Sequence, residues 1–231
     1  ISRLARAMDV MAKDIGERDQ DLKMAIASRD AAVREIHHRV KNNLQIVTSF
    51  LNLQGRQLRD PEAKAAISAA RHRIDALAIV HQTLYQNERL EQVHLKPFLT
   101  GLVSHLSEAL GMEESGVEIV QDYKDVMRPA DDAIPMALFI VEAITNAMKY
   151  AFGPEGGVIT VSLGVDESGT TLAISDNGRG YDQSAPSDQE NGRGLGTKLM
   201  SAFSRQLAAT LNVDASPGGG CQLTLHMPDG S

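Results

Sequence analysis

The chain has one cysteine, no tryptophan and an aromatic content of only 4%. A single thiol, Cys221, cannot close an internal disulfide, and no paired Cys or His spacing suits zinc. A reducing cytosol is the expected setting, with Cys221 an inert strand residue. No window approaches the roughly 20 apolar residues a membrane-spanning helix needs, and no signal-peptide pattern opens the chain. This segment is therefore expected to be soluble and cytoplasmic. It begins with Ile1 rather than Met, which is compatible with a longer protein carrying a membrane-bound upstream region. Lys and Arg are nowhere concentrated, and the formal net charge of −7 gives no reason to expect a nucleic acid partner. What is abundant is ordinary globular material: 42% hydrophobic residues in 231, enough for two compact units.

Proline is also missing from Ser2 to Gln57, a stretch in which apolar residues recur at helical spacing: Leu4, Met8, Met11, Ile15, Leu22, Ile26, Val33, Ile36, Val40, Leu44, Val47 and Leu51. One very long helix with coiled-coil character is predicted, with a stutter or local break where Arg18 and Asp19 interrupt the seam. Such a helix is not stable alone and must pair. Asp60 is placed to cap, and Pro61 to open, a second helix reaching about Tyr85. Two such hairpins from two subunits would form a four-helix bundle, which makes the chain a homodimer.

Beyond Leu95 and Pro97 the texture changes. Helices are predicted near Phe98 to Leu110, Asp131 to Phe152 and Gly196 to Thr210. Strands are predicted near Val117 to Tyr123, Val158 to Val165, Thr170 to Asp176, Leu211 to Ala215 and Cys221 to Met227. The fold class is α+β: a helical hairpin followed by an α/β sandwich with helices on one face of a mixed sheet.

Three motifs follow in fixed order in this second half. In VEAITNAMKYAF, the residues Glu142, Asn146, Lys149 and Tyr150 lie three or four apart and share one face of an otherwise apolar helix. Buried polar groups need partners, although from this helix alone a solvated face accounts for them equally well. DNGRG, Asp176 to Gly180, follows a strand and on its own would be an unremarkable turn. GRGLG, Gly192 to Gly196, opens a helix, where glycines let backbone N–H groups and the helix dipole meet an anion.

Together these motifs, from about Leu95 to Pro228, resemble the Bergerat-type ATP-binding domain shared by histidine kinases, gyrase, Hsp90 and MutL-type proteins. The resemblance implies ATP and Mg2+ as cofactors. It implies that Asn146 ligates Mg2+ and that Glu142 orders a water or the metal shell, oxygen donors suiting a hard cation. It further implies that Lys149 and Tyr150 face the phosphates and that Asp176 accepts a hydrogen bond from the adenine amino group. Gly178 and Gly180 would let the backbone pass under the base, while Gly194 and Gly196 would cradle the phosphates. The stretch between Tyr181 and Arg193 would be a mobile lid, with Arg193 either a phosphate contact or a solvated loop charge.

In the first helix, EIHHRVKNNLQ places Glu35, His38, Asn42 and Gln45 along one stripe. From about Val33 to Tyr85 the chain resembles the phosphotransfer motif of the HWE-like histidine kinases, the second HisKA subfamily, in which the His preceding Arg is phosphorylated. The resemblance assigns His38, ahead of His37, as the phosphoacceptor. Strict HWE kinases carry a tryptophan in the G1 region that this chain lacks, so the broader HWE-like group fits better. Arg39 stands where ordinary histidine kinases place an acidic residue, which leaves the base open: Glu35 either orients or deprotonates His38, or is spent on a cap or salt bridge. Asn42 occupies the place where other histidine kinases position a water for dephosphorylating the regulator. The N-terminal residues resemble the closing helix of a HAMP linker, a generic coiled coil being the other reading.

The expected organisation is a signalling coiled coil over 1–34, a dimerisation and phosphotransfer hairpin over 35–90 and an ATP-binding domain over 95–231. The expected activity is that of an ATP-dependent protein-histidine kinase that autophosphorylates His38 and passes the phosphate to an aspartate of a response regulator. The alternative is a phosphotransfer or phosphatase scaffold with a degenerate ATP domain.

Overall fold

The computed structural model describes residues 2–85, 91–180, 195–216 and 219–228. Residues 1–43 form one compact unit and residues 44–231 another. Helix α1 (Ser2–Gln57) passes through Arg18 and Asp19 without the anticipated break. Those two residues are satisfied along the helix itself: Arg18 pairs with Asp14 at 3.2 Å, and Asp19 with Lys23 at 2.7 Å. Acid preceding base by four residues is the favoured order, worth about 0.2–0.5 kcal/mol per exposed pair, so the interrupted apolar seam does not interrupt the backbone.

Helix α2 (Pro61–Tyr85) starts as its sequence dictates, with Asp60 Oδ2 accepting the Ala63 amide at 2.9 Å and Pro61 in the first turn. It runs antiparallel to the end of α1. Thr48 Oγ1 donates to Asp75 Oδ1 at 3.1 Å, and Arg71 Nη1 donates to Asn52 Oδ1 at 2.8 Å. Closer to the turn, a Cβ on Gly55 would sit 3.3 Å from Ile67, so one index falls as the other rises. On α1, Ile46, Phe50 and Leu53 remain exposed at spacings of four and three, an apolar stripe left uncovered within this chain.

A short antiparallel pair, β1 (Gln92–His94) with β3 (Met127–Pro129), flanks the second half and has no counterpart in the sequence prediction. Three residues are too few to display a period of two. Helix α3 (Leu95–Ala109) begins earlier than expected because Pro97 is tolerated in its first turn. The five-stranded sheet runs β2 (Val117–Tyr123), β4 (Gly157–Asp166), β5 (Gly169–Asp176), β7 (Cys221–Pro228), β6 (Thr210–Ala215), with only β2 and β4 parallel. The sheet is mixed, as the sequence indicated.

Alternate strand residues, Ile159, Val161, Leu163, Leu172, Ile174, Leu225 and Met227, are buried. Leu99, Leu102 and Leu106 of α3 are buried in the same core, with Met136, Ile140 and Ile144 of α4 (Ala133–Tyr150). The last helix, α5 (Leu195–Gln206), stops four residues short of the expected Thr210. Ala208 adopts φ 50°, and the Ala209 amide turns back to the Ser204 carbonyl at 2.8 Å. No helix among the described residues is long and apolar enough to cross a membrane.

Candidate nucleotide site and phosphoacceptor helix

The polar stripe of α4 grades from buried to exposed. Glu142 is 4% exposed, Asn146 is half-buried, and Lys149 and Tyr150 lie open at the end of the helix. Burying a carboxylate this deeply requires a counter-charge, and Arg73 of α2 supplies it. Its Nε and Nη2 donate to Glu142 Oε1 and Oε2 respectively, the second at 2.9 Å. That hydrogen bonding holds the guanidinium pKa above its ordinary value. The start of α5 closes on the same spot, where a Cβ on Gly196 would lie 3.1 Å from Glu142 Oε2 and 3.6 Å from the Asn146 amide. The Asn146 amide oxygen beside Gly196, and the Glu142 carboxylate once Arg73 leaves it, are oxygen donors that fit a hard cation such as Mg2+.

One residue along from Arg73, His72 is 5% exposed, and burial lowers its pKa, with the charges of Arg71 and Lys149 acting in the same direction against Asp75. Its Nε2 lies 3.1 Å from Arg71 Nη2. A guanidinium only donates, so Nε2 accepts and the ring is neutral with its hydrogen on Nδ1. His72, Ala76 and Val80 form the buried face of α2 at intervals of four.

Asp176 ends β5 at 9% exposure. Its Oδ1 accepts from the Gly178 amide at 3.0 Å and the Cys221 amide at 3.3 Å, leaving Oδ2 without a protein donor among the described residues. Glycines make this possible. A Cβ on Gly220, where φ is +85°, would lie 2.1 Å from the Asp176 carbonyl oxygen and 2.6 Å from Oδ1. A Cβ on Gly178 would lie 2.3 Å from the Ala151 carbonyl oxygen, which itself accepts the Arg179 amide at 3.0 Å. Gly180 takes φ +80° beside the Gly220 backbone. Asn177 braces the loop from the other side, its Oδ1 accepting the Val158 amide at 2.7 Å. Burial, then Asp176 and Asp214, push the Cys221 thiol up, in keeping with an inert strand residue whose amide, rather than its sulfur, serves the site.

Of the sequence-predicted residues, Glu142, Asn146 and Gly196 are brought together, and Asp176, Gly178 and Gly180 form a second cluster. Arg193, Gly194 and the expected lid lie outside the described residues. Sequence reasoning missed Arg73, His72 and the Gly219–Gly220 turn. The two glycines carried a signal in composition, but nothing local marked Arg73, whose partner is 69 residues away.

On α1, His37 and His38 lie within the helix, and their side chains fall outside the described part. Glu35 is engaged by Arg39, whose Nε donates to Oε1 at 2.8 Å, while Asn42 is exposed. The salt-bridge reading of Glu35 is therefore the one realised in this geometry.

Residues 35–110 match the HisKA_2 histidine kinase family, and residues 131–231 match the histidine kinase-, DNA gyrase B- and HSP90-like ATPases. The helical segment thus matches a histidine kinase domain of HisKA_2 type, and the segment after it matches an ATPase domain of the histidine kinase, gyrase B and HSP90-like type. It is 28% identical over 208 residues to the sensor histidine kinase PdtaS of Mycolicibacterium smegmatis, covering 89% of this chain and 41% of that protein. It is also 26% identical over 206 residues to blue-light-activated histidine kinase 2 of Erythrobacter litoralis, covering 86% and 57% respectively. The chain therefore spans about half the length, or less, of these relatives. The histidine kinase domain of an Erythrobacter litoralis blue-light activated histidine kinase shares the fold, with a TM-score of 0.61 at 23% identity over 86% of this chain and 91% of that one.

Proposed function

We propose that this chain is the kinase core of a two-component system, a cytoplasmic homodimer that uses Mg-ATP to phosphorylate His38 and hands the phosphoryl group to an aspartate of a response regulator receiver domain. The observation that carries the reading is the Asp176 carboxylate, one oxygen fixed by two amides and the other left to accept from an adenine amino group. Guanine presents an acceptor at that position, so a carboxylate there selects adenine. Gly178 and Gly180 bring the backbone under the base. Gly194, Gly196, Lys149, Tyr150 and Arg193 are assigned to the phosphates, Asn146 to Mg2+, and Glu142 to the water or metal shell around it.

Bound at Asn146, Mg2+ would offset charge on the transferring oxygens and the departing ADP. The residues of the chain do the positioning. A neutral His38 imidazole nitrogen attacks the γ-phosphorus in line, the bond to the β–γ bridging oxygen breaks, and the imidazole proton is lost to solvent or to Glu35 once Arg39 releases it. With an unperturbed pKa of about 6.5, most of such an imidazole is already neutral at pH 7. The P–N bond formed is reactive enough for onward transfer to a carboxylate. Asn42, exposed one turn on, is assigned to a water that dephosphorylates the regulator, making the protein bifunctional.

The uncovered stripe of Ile46, Phe50 and Leu53 supports pairing with a second copy through a four-helix bundle. Residues 1–34 then act as the signalling coiled coil, 35–90 as the hairpin and 95–231 as the ATP-binding domain. The test is incubation with γ-labelled ATP and Mg2+. Acid-labile label on the wild type, lost in both His38→Ala and Asn146→Ala, supports the reading, and label that survives His38→Ala refutes the assignment.

A further inference from the structure

The assigned nucleotide site does not stand free in this structure. Glu142, which the proposed function assigns to the metal shell, has both carboxylate oxygens taken by the Arg73 guanidinium. Arg73 belongs to α2, the helical segment, and Glu142 to α4, the ATP-binding domain. The pair is largely dry, with side-chain exposures of 22% for Arg73 and 6% for Glu142. It sits at the junction with α5, since Gly196 faces both Glu142 Oε2 and the Asn146 amide. A fixed positive charge therefore lies against the oxygens that a divalent cation would recruit.

Two cations cannot share that carboxylate on equal terms in a medium that screens poorly. A bidentate guanidinium already satisfies both of its oxygens, so a metal shell built on Glu142 requires Arg73 to withdraw, and withdrawal removes the ion pair that ties α2 to α4. His72, Ala76 and Val80 are buried on the same helix, so losing that tie acts on a packed face of α2. Resting on the proposed nucleotide site, we propose that Arg73 is an autoinhibitory latch: its pairing with Glu142 and the loading of Mg2+-nucleotide exclude each other, so nucleotide loading and release of α2 are reciprocally linked.

Reciprocity makes the latch measurable without any turnover. Binding of a fluorescent ATP analogue to the full chain would be titrated with Mg2+ and, separately, in EDTA, for wild type, Arg73→Gln and Arg73→Lys. The latch predicts that Arg73→Gln tightens Mg2+-dependent binding by about tenfold, within the usual span of such couplings, and leaves binding in EDTA unchanged. Arg73→Lys, which keeps the charge on a single donor, should fall between. Equal or weaker Mg2+-dependent binding by a folded Arg73→Gln overturns the latch. A wild type that binds no adenine nucleotide under any condition overturns the nucleotide site itself, which is a separate result. Because Arg73→Gln leaves a buried carboxylate unpaired and can fail to fold, hydrogen exchange on the wild type supplies an independent measurement. Amides of residues 72–80 should lose protection when Mg2+-nucleotide is added and keep it with nucleotide in EDTA, and unchanged protection in both overturns the latch.

Discussion

Replacing Gly220 with alanine adds one methyl group where the backbone leaves no room for it. The new Cβ would meet the Asp176 carbonyl oxygen at 2.1 Å and Oδ1 at 2.6 Å, and the residue would be held at φ +85°. A side chain in the left-handed region costs about 1–2 kcal/mol. Overpacking against atoms that cannot step aside costs about 1–3 kcal/mol more, because one of those atoms is backbone and the other is anchored by two amides. A loss of roughly 2–5 kcal/mol follows, and at about 2–4 °C per kcal/mol for a chain of this size the Tm should fall by several degrees or more. Adenine nucleotide affinity should fall with it, since Oδ1 must move and Oδ2 moves as a rigid partner. Gly101 on α3 is the control, having nothing within 4 Å of its Cβ position. Gly101→Ala should raise stability by about 0.5–1 kcal/mol through helix propensity alone. Thermal melts of both variants beside nucleotide titrations decide the matter. A Gly220→Ala protein that melts and binds like wild type refutes the close-approach argument for the site.

Three further outcomes are expected. Asp176→Asn keeps an oxygen for the Gly178 and Cys221 amides but loses the charged acceptor, so adenine nucleotide affinity should drop about ten- to a hundredfold, the worth of a charge-assisted hydrogen bond, while the melt barely changes. Ala208→Gly, relieving the left-handed residue that terminates α5, should stabilise by about 0.5–1 kcal/mol in urea titrations, and no gain would count against strain at that turn. His72 is held neutral by burial, by Arg71 and by Lys149 against the opposing Asp75, so the unfolded chain takes up a proton first as pH falls through about 6.5. Stability should therefore fall on acidification below that point until His72 itself protonates. A pH dependence that survives unchanged in His72→Gln would place the effect elsewhere.

What could be read from the sequence was whatever repeats or caps within one element. The period of α1, the Asp60 cap and the alternation along β4 and β5 each concern neighbours a few residues apart, and each recurs in the structure. The features that escaped are those with no local signature. Strands β1 and β3 are too short to alternate visibly, and α5 ends on an alanine rather than the glycine that usually marks a left-handed stop.

The candidate site divides along the same line. Glu142 and Asn146 could be placed on one stripe because both belong to α4, and Asp176 could be singled out only through the order of the three motifs and the family they resemble, its turn being unremarkable alone. The Cys221 amide that orients Asp176 and the Arg73 guanidinium that grips Glu142 come from other elements, brought in by packing. This division decides how the motif should be used. Its residues name the atoms proposed for a nucleotide, but whether those atoms are available depends on what the fold has already set against them. Glu142 is the clearest instance, a motif carboxylate that is buried in α4 and already paired by a helix from outside the motif.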